Sequence, residues 1–579
     1  MSAHKVYPVF VRIAAAIASC FFLTTSPPCF AGTKKDFFQG TDLNDANNYN
    51  PAGLPSGSSD VLLTTPFTAL VLNAAVLQMC SLNLTADNVA YTISNNTATS
   101  TGSGISLDPF MGGGNSISGQ AGDLIFVGGM NSSLTIQGVN SGTGSGSLSL
   151  GSGVGGSFDV AQASSTLNIS AAINLGLGGS LTKTGAGVLN LSGPLTIAGS
   201  GGFNVNQGTA NLFTGFVSAA NTNLGVSNSA LGPASDVTLN IQTSVQFRSL
   251  TGSVATPSNQ AVINLVGTGT ELRLFSASGS FAGRITGSGN VLMSGGTPNL
   301  IQTFSGNNTY SGTTTVSGSS LRIDGLTSGQ GNYTVSGTSL MGGGTIGLSA
   351  NGTVIVQDGN SPPGRLIPGA AGAVGTLSVS TIGTGGVIFR DTSIFTVDIG
   401  ASGASDLLAI AGGYIDITGA SDRLELNALA GAFDGGTYTI ATFDQNLGSG
   451  IFNTVTGLPS NYVVSYLPTA ITLQPVPELS VFGLWGVTGL FACWRRRRSR
   501  SVRRLLSRSE RQVVQNGRHL AWSGSFARGA RGRIKDHDRQ HGGVEHPHFR
   551  WGASGRAGGL ARSGRNAARH QRPFPGSNF

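Results

Sequence analysis

Between Gly32 and Trp494 this chain of 579 residues has no histidine: one of its 7 is His4, and the other six lie between His519 and His570. Catalytic triads built on imidazole, and zinc sites that need it, are therefore excluded from that body by absence alone. Charge is almost as scarce, at 10% of residues against roughly a quarter in an ordinary globular protein. Only 4 cysteines occur, and Cys20, Cys29, Cys80 and Cys493 are too scattered to suggest a disulfide framework.

What fills the space is glycine, 89 residues of it, with Ser, Thr and Asn at most remaining polar positions. Such a composition describes either a flexible filler or a β-architecture with very many turns. The apolar share of 39% favours the second, because disordered chains are poorer in Val, Ile, Leu and Phe. The formal charge of +8 belongs to one end. From Arg495 onward there are 21 of the 33 Lys and Arg but 4 of the 25 acidic residues, whereas Gly32 to Trp494 holds 10 basic and 21 acidic residues, a net of −11.

Within that body, period-two alternation is broken by Gly, Ser or Asn every few residues. Leu189 and Leu191 alternate in VLNLSG, Leu195 and Ile197 in PLTIAG, Phe203 and Val205 in GFNVNQG, and Val237, Leu239 and Ile241 in DVTLNIQ. Each reads as a strand of three to five residues with one apolar face. Strands so short cannot each support a core, so they must stack on copies of themselves. The expected fold is all-β, a right-handed parallel β-helix (β-solenoid) forming a single elongated domain over residues 32–474. At about 20 to 25 residues per coil it would make roughly 18 to 22 coils and a rod near 90 to 105 Å.

The longer segments resemble the autotransporter-associated β-strand repeat. One copy is GSLTKTGAGVLNLSGPLTIAGSGGFNVNQGTANLF, from Gly179 to Phe213, and a second begins at Gly283. In the second, Phe304 to Gly306, Asn308 to Tyr310 and Gly312 to Thr314 match the family's Leu-Ser-Gly, Asn-Thr-Tyr and Gly-Thr-Thr. QGTDLNDANNYNPAGLP is similar to the family's opening strand, with Tyr49 where Trp is usual. LIPGAAGAVGTLSVS, with Pro368 and Gly369, resembles the ladder that follows the repeats, and GLPSNYVVSYLPTAITL the closing rungs. The resemblance implies a solenoid and says little about its task.

Both ends carry addresses. Lys5 and Arg12, the apolar run Ile13 to Leu23 and the small residues before Gly32 follow the plan of a secretory signal over residues 1–31, cut between Ala31 and Gly32. Pro477 and Glu478, an apolar stretch from Leu479 to Trp494, and Arg495, Arg496, Arg497 and Arg498 resemble a PEP-CTERM sorting tail over residues 475–498, with Leu479 in place of the usual second Pro. That resemblance implies an exosortase-type sorting enzyme as partner, transient contact with the inner membrane and a Gram-negative cell surface or extracellular matrix as destination. The basic segment 499–579 has no strand or helix period and reads as a disordered extension rather than a nucleic-acid binder.

β-Helices also include polysaccharide lyases and hydrolases, which set carboxylates, or a carboxylate and an Arg, on one face. Candidates are Asp358 with Arg365, Asp391 with Arg390, and Asp422 with Arg423; each lies beside turn residues, where a solvated surface charge is the plainer reading. Cys80, in LQMCSLNLT, reads as an inward-facing thiol. No catalytic, metal or cofactor residue is assigned. The reading is an exported, non-catalytic structural or adhesive surface protein, with extracellular polysaccharide as a possible partner and a carbohydrate-active β-helix enzyme as the alternative.

Overall fold

The computed structural model describes residues 33–477 apart from 38, 40–41, 44, 57–58, 65–68, 73–76, 96–103, 108–122, 138–146, 151–154, 214–220, 229–235, 255–259, 360–361 and 448–449. Contacts group Met1–Leu479 as one unit and Ser480–Phe579 as another, which lies wholly outside the described residues. The signal residues Ala31 and Gly32 are also outside them, as are Glu478 and Arg495 to Arg498.

The body is a parallel β-solenoid. The chain passes three faces in turn and then returns one level higher, so strands that pair in a sheet are usually three apart in sequence order. Thr166–Ile169, Val188–Leu191 and Thr209–Leu212, for example, stack in register on the second face, with Leu167, Leu189 and Ala210 aligned. Alternation explains which side chains go inside. Every apolar residue named above in residues 188–241 is at most 4% exposed, and together they belong to one continuous core. Among the described residues, one short 3-10 turn at Ala46–Asn48 is the only helical element.

On the first face, nine parallel strands from Thr33–Phe37 to Leu250–Thr251 are followed by eight from Gly279–Phe281 to Thr454–Thr456, which makes seventeen levels among the described residues. That is fewer than the sequence suggests, and at about 4.8 Å per level the stack is roughly 80 Å long. The reason is unequal coil length. Stacked residues are 21 apart between Asn190 and Asn211, but 29 between Asn211 and Asn240 and 43 between Asn88 and Asn131. The extra residues of the longer coils add no level. Where the first-face ladder changes sheet, the buried Gln302 reaches past its register partner Gly279 and bonds both the N–H and the C=O of Leu250, at 3.2 and 2.8 Å. A side chain on Gly279 would stand 2.5 Å from that carbonyl oxygen.

The two ends are closed differently from the middle. At the start, Tyr49 packs edge-on against Phe37 and donates its hydroxyl to Leu43 O at 2.8 Å, while Tyr49–Asn50 pairs antiparallel with Thr33–Phe37. At the other end, the expected closing rungs are an antiparallel hairpin: Ala470–Pro475 lies against Tyr438–Thr442 on one side and Tyr462–Tyr466 on the other.

Two polar devices interrupt the apolar logic. On the outer side of the second face, Asn168, Asn190, Asn211, Asn240 and Asn264 form a ladder in which each amide donates to its neighbour, at 2.6 to 2.9 Å, and Asn168 donates to Thr135. Amide ladders of this kind lock identical register between levels. Inside, Lys183 takes a place in the column Ile125, Phe158, Lys183, Val205. Its ammonium donates to the carbonyls of Thr184, Gly185 and Gln207 at 2.6, 2.7 and 3.3 Å. Burial nevertheless lowers its pKa to about 7, with Asp159 acting in the opposite direction.

Candidate functional site

The charged pairs read from the sequence are redistributed by the fold. Arg365 turns to the outer side of the first face, where it pairs with Glu425 and donates to Thr396 at 2.6 Å, so it does not serve Asp358. Asp422 is 0% exposed and accepts from Asn453 Nδ2 at 3.2 Å, with its second oxygen unbonded. Burial raises its pKa to about 6, the hydrogen bonds from Asn453 oppose the rise, and Asp391 adds to it. A carboxyl so enclosed cannot reach a substrate. Cys80 is buried as expected, although it sits at a bend between Leu77–Met79 and Ser81–Leu84 and not within a strand.

A second set of buried carboxylates is structural as well. Asp406 accepts from Gly375 N at 2.7 Å and Asp398 N at 2.9 Å, while Asp398 accepts from Gly372 N at 2.6 Å. These bonds pin the segment Pro368 to Gly375 against the next level. Burial raises Asp406 to about 7, opposed by its two N–H donors.

Asp358, Arg390 and Asp391 do meet. With Asp416 they line a groove of about 440 Å3 at the corner where the third face turns into the first. Asp391 accepts from Ala420 N at 2.5 Å, and Asp416 from the N–H and hydroxyl of Thr418 at 3.1 and 2.7 Å. The Arg390 side chain is exposed and makes no hydrogen bond or ion pair among the described residues, while its backbone N–H donates to Val356 O at 2.8 Å. Across the same face, at its corner with the second, lies another groove of about 330 Å3 lined by Thr384, Tyr414, Asp444, Gln445 and Leu447 among others.

The strand Tyr414–Asp416 joins the two grooves. Ile415 is fully buried and its neighbours point outward, half-buried. Tyr414 lies over Gly386, its register partner one level below: a Cβ there would stand 2.8 Å from ring atoms Cγ and Cδ2. Burial raises the Tyr414 pKa, Asp416 raises it further and Arg390 lowers it, so both charges act on the phenol. The sequence reading missed Tyr414, Asp416, Asp444 and Gln445. The usable signal was alternation, since inward Ile415 and Ile417 put Tyr414 and Asp416 outside, where Ser, Thr and Asn otherwise prevail.

Among the described residues, no group of three or more His, Cys, Asp and Glu could hold a metal ion. Of the sorting motif only Pro477 is described, and it is exposed. No protein-family model and no curated protein matches this chain.

Proposed function

We propose that this is an exported, non-catalytic structural or adhesive protein, carried to the cell surface or extracellular matrix of a Gram-negative bacterium and sorted there by an exosortase-type enzyme. The observation that carries the reading is the long solenoid between two address-like ends. Its strands run from Thr33 to Pro475, between the signal-like segment before Gly32 and the sorting-like series that begins at Pro477. A stack held by neighbour contacts needs no disulfide or metal to persist outside the cell. Its outer faces, rich in hydroxyl and amide groups, suit contact with hydrated polymers. The autotransporter-associated repeat resemblance supports the same reading.

The test is cell fractionation with surface proteolysis. The account expects the body in the outer-surface or medium fraction and accessible to added protease; a body confined to the cytosol would overturn it. A carbohydrate-active enzyme is the second reading, favoured by one observation: Asp358, Asp391, Asp416 and Arg390 share a solvent-open groove. Paired carboxylates cleave glycosidic bonds when one is a proton donor and the other a base or nucleophile. The buried Asp422, which interacts with Asp391, has a raised pKa that would suit the donor, and it is closed to solvent. Release of reducing ends from polysaccharide, lost in Asp391→Ala, would favour the enzyme.

A further inference from the structure

The outward side of the third face carries, over its last levels, two concave surfaces and an aromatic ring. Two concavities of about 440 and 330 Å3 flank one strand at its two corners. The strand Tyr414–Asp416 covers roughly 10 Å at about 3.3 Å per residue, and the grooves at its two ends extend the surface beyond it. Tyr414 lines the smaller of them, its ring seated on Gly386, where a Cβ would stand 2.8 Å from Cγ and Cδ2. Apolar contact continues beside it through Leu447, 40% exposed, and through Ile382, 78% exposed and adjacent to Gly383 of the smaller groove.

We propose that this surface binds a neutral polysaccharide laid along the strand Tyr414–Asp416 from one corner to the other. The proposal deepens the matrix reading and rests on it for the supply of such a polymer. An aromatic ring offers the apolar face that a pyranose ring stacks on. Each sugar hydroxyl is both donor and acceptor, and the grooves mix both roles: Arg390 donates, Asp358 and Asp444 accept, Thr384, whose O–H goes to Asn351 Oδ1 at 2.7 Å, also accepts, and Gln445 can do either. Four carboxylates, Asp358, Asp391, Asp416 and Asp444, stand against the single guanidinium of Arg390. Anionic uronate chains are therefore repelled. A polyamine chain would match the excess of carboxylates but meets Arg390 in its path, and it is the outcome that the cationic probe tests.

Affinity electrophoresis of the purified mature protein tests this, with laminarin, dextran and hydroxyethyl cellulose as neutral probes, polygalacturonate as the anionic probe and chitosan as the cationic one. The parent should be retarded by at least one neutral probe and not by polygalacturonate. Tyr414→Ala should bind at least tenfold more weakly, Tyr414→Phe should stay near the parent, and the exposed Arg390→Ala should weaken binding with an unchanged circular dichroism spectrum. Retardation by no neutral probe, by polygalacturonate or chitosan alone, or equally in the parent, Tyr414→Ala and Arg390→Ala would overturn the proposal. Shortening of a bound neutral probe would support the site while overturning the non-catalytic reading. Binding by a protein that fractionation finds in the cytosol would keep the site and remove the matrix.

Discussion

Replacing Lys183 with Met probes the interior directly. Lys183 is 0% exposed in an apolar column, and burial lowers its amine from 10.5 to about 7. Below pH 7 both the folded and the unfolded chain carry the proton, so the full penalty of the buried charge is present. Between about 7 and 10.5 the folded state releases its proton first and the penalty shrinks, so this component of stability rises with pH. At about 1.4 kcal/mol per unit, the interval corresponds to about 5 kcal/mol. That figure is an upper bound, because three carbonyl acceptors favour the ammonium. Lys183→Met abolishes the titration while keeping an unbranched side chain. Its stability relative to the parent should be greatest below pH 7 and fall by about 1 kcal/mol per pH unit toward pH 10. Loss of the carbonyl partners shifts the absolute difference but leaves that slope. Urea denaturation at pH 6, 7.5 and 9, followed by far-ultraviolet circular dichroism, reads it. A difference independent of pH would refute the buried, depressed amine.

Asp422→Asn carries the opposite sign. A carboxyl raised to about 6 from 3.8 destabilises the folded protein progressively as pH rises through that interval, so the variant should be more stable than the parent at pH 7.5 and indistinguishable at pH 3.5 in thermal melts. In the amide ladder, Asn190→Ala removes one bond to Asn168 and one from Asn211, and a loss on the order of 1 kcal/mol is expected in urea titration because the site is partly solvated. Phe281→Ala, at a fully buried position where the first face changes sheet, should cost about 3 to 5 kcal/mol and raise hydrogen exchange in adjoining levels more than in distant ones. A stop codon after Arg500 should leave surface display unchanged, whereas replacing Arg495 to Arg498 with Ser should disturb it; surface immunodetection compares the two.

The fold was legible because alternation and glycine spacing are local. Leu189, Leu191, Phe203 and Val205 could be placed inside from their own neighbours, and so they stand. At the strand Asn307–Asn308, buried Asn308 accepts from Ile285 N at 3.0 Å, and beyond it Tyr310 bonds Thr314 at 2.5 Å. Coil number was not legible, because no local pattern tells whether residues 89–130 add a level or a longer corner. Lys183 gives no warning either, since its inward place follows from alternation but its carbonyl partners come from the turn at Thr184 and Gly185 and from Gln207, one level on. The grooves draw on Asp358, Arg390, Tyr414 and Asp444, each from a different level. Such a surface is set by which coil lies above which, and that vertical order is a property of the stack.

The central claim is that this solenoid works outside the cytoplasm as a mature, trimmed chain. Intact-mass measurement of the protein recovered from separated cytosolic, membrane, surface and medium fractions tests it most directly. The account predicts a surface or medium species whose first residue is near Gly32 and which lacks the sequence beyond the sorting segment. A cytosolic species that retains Met1 and ends at Phe579 would contradict it.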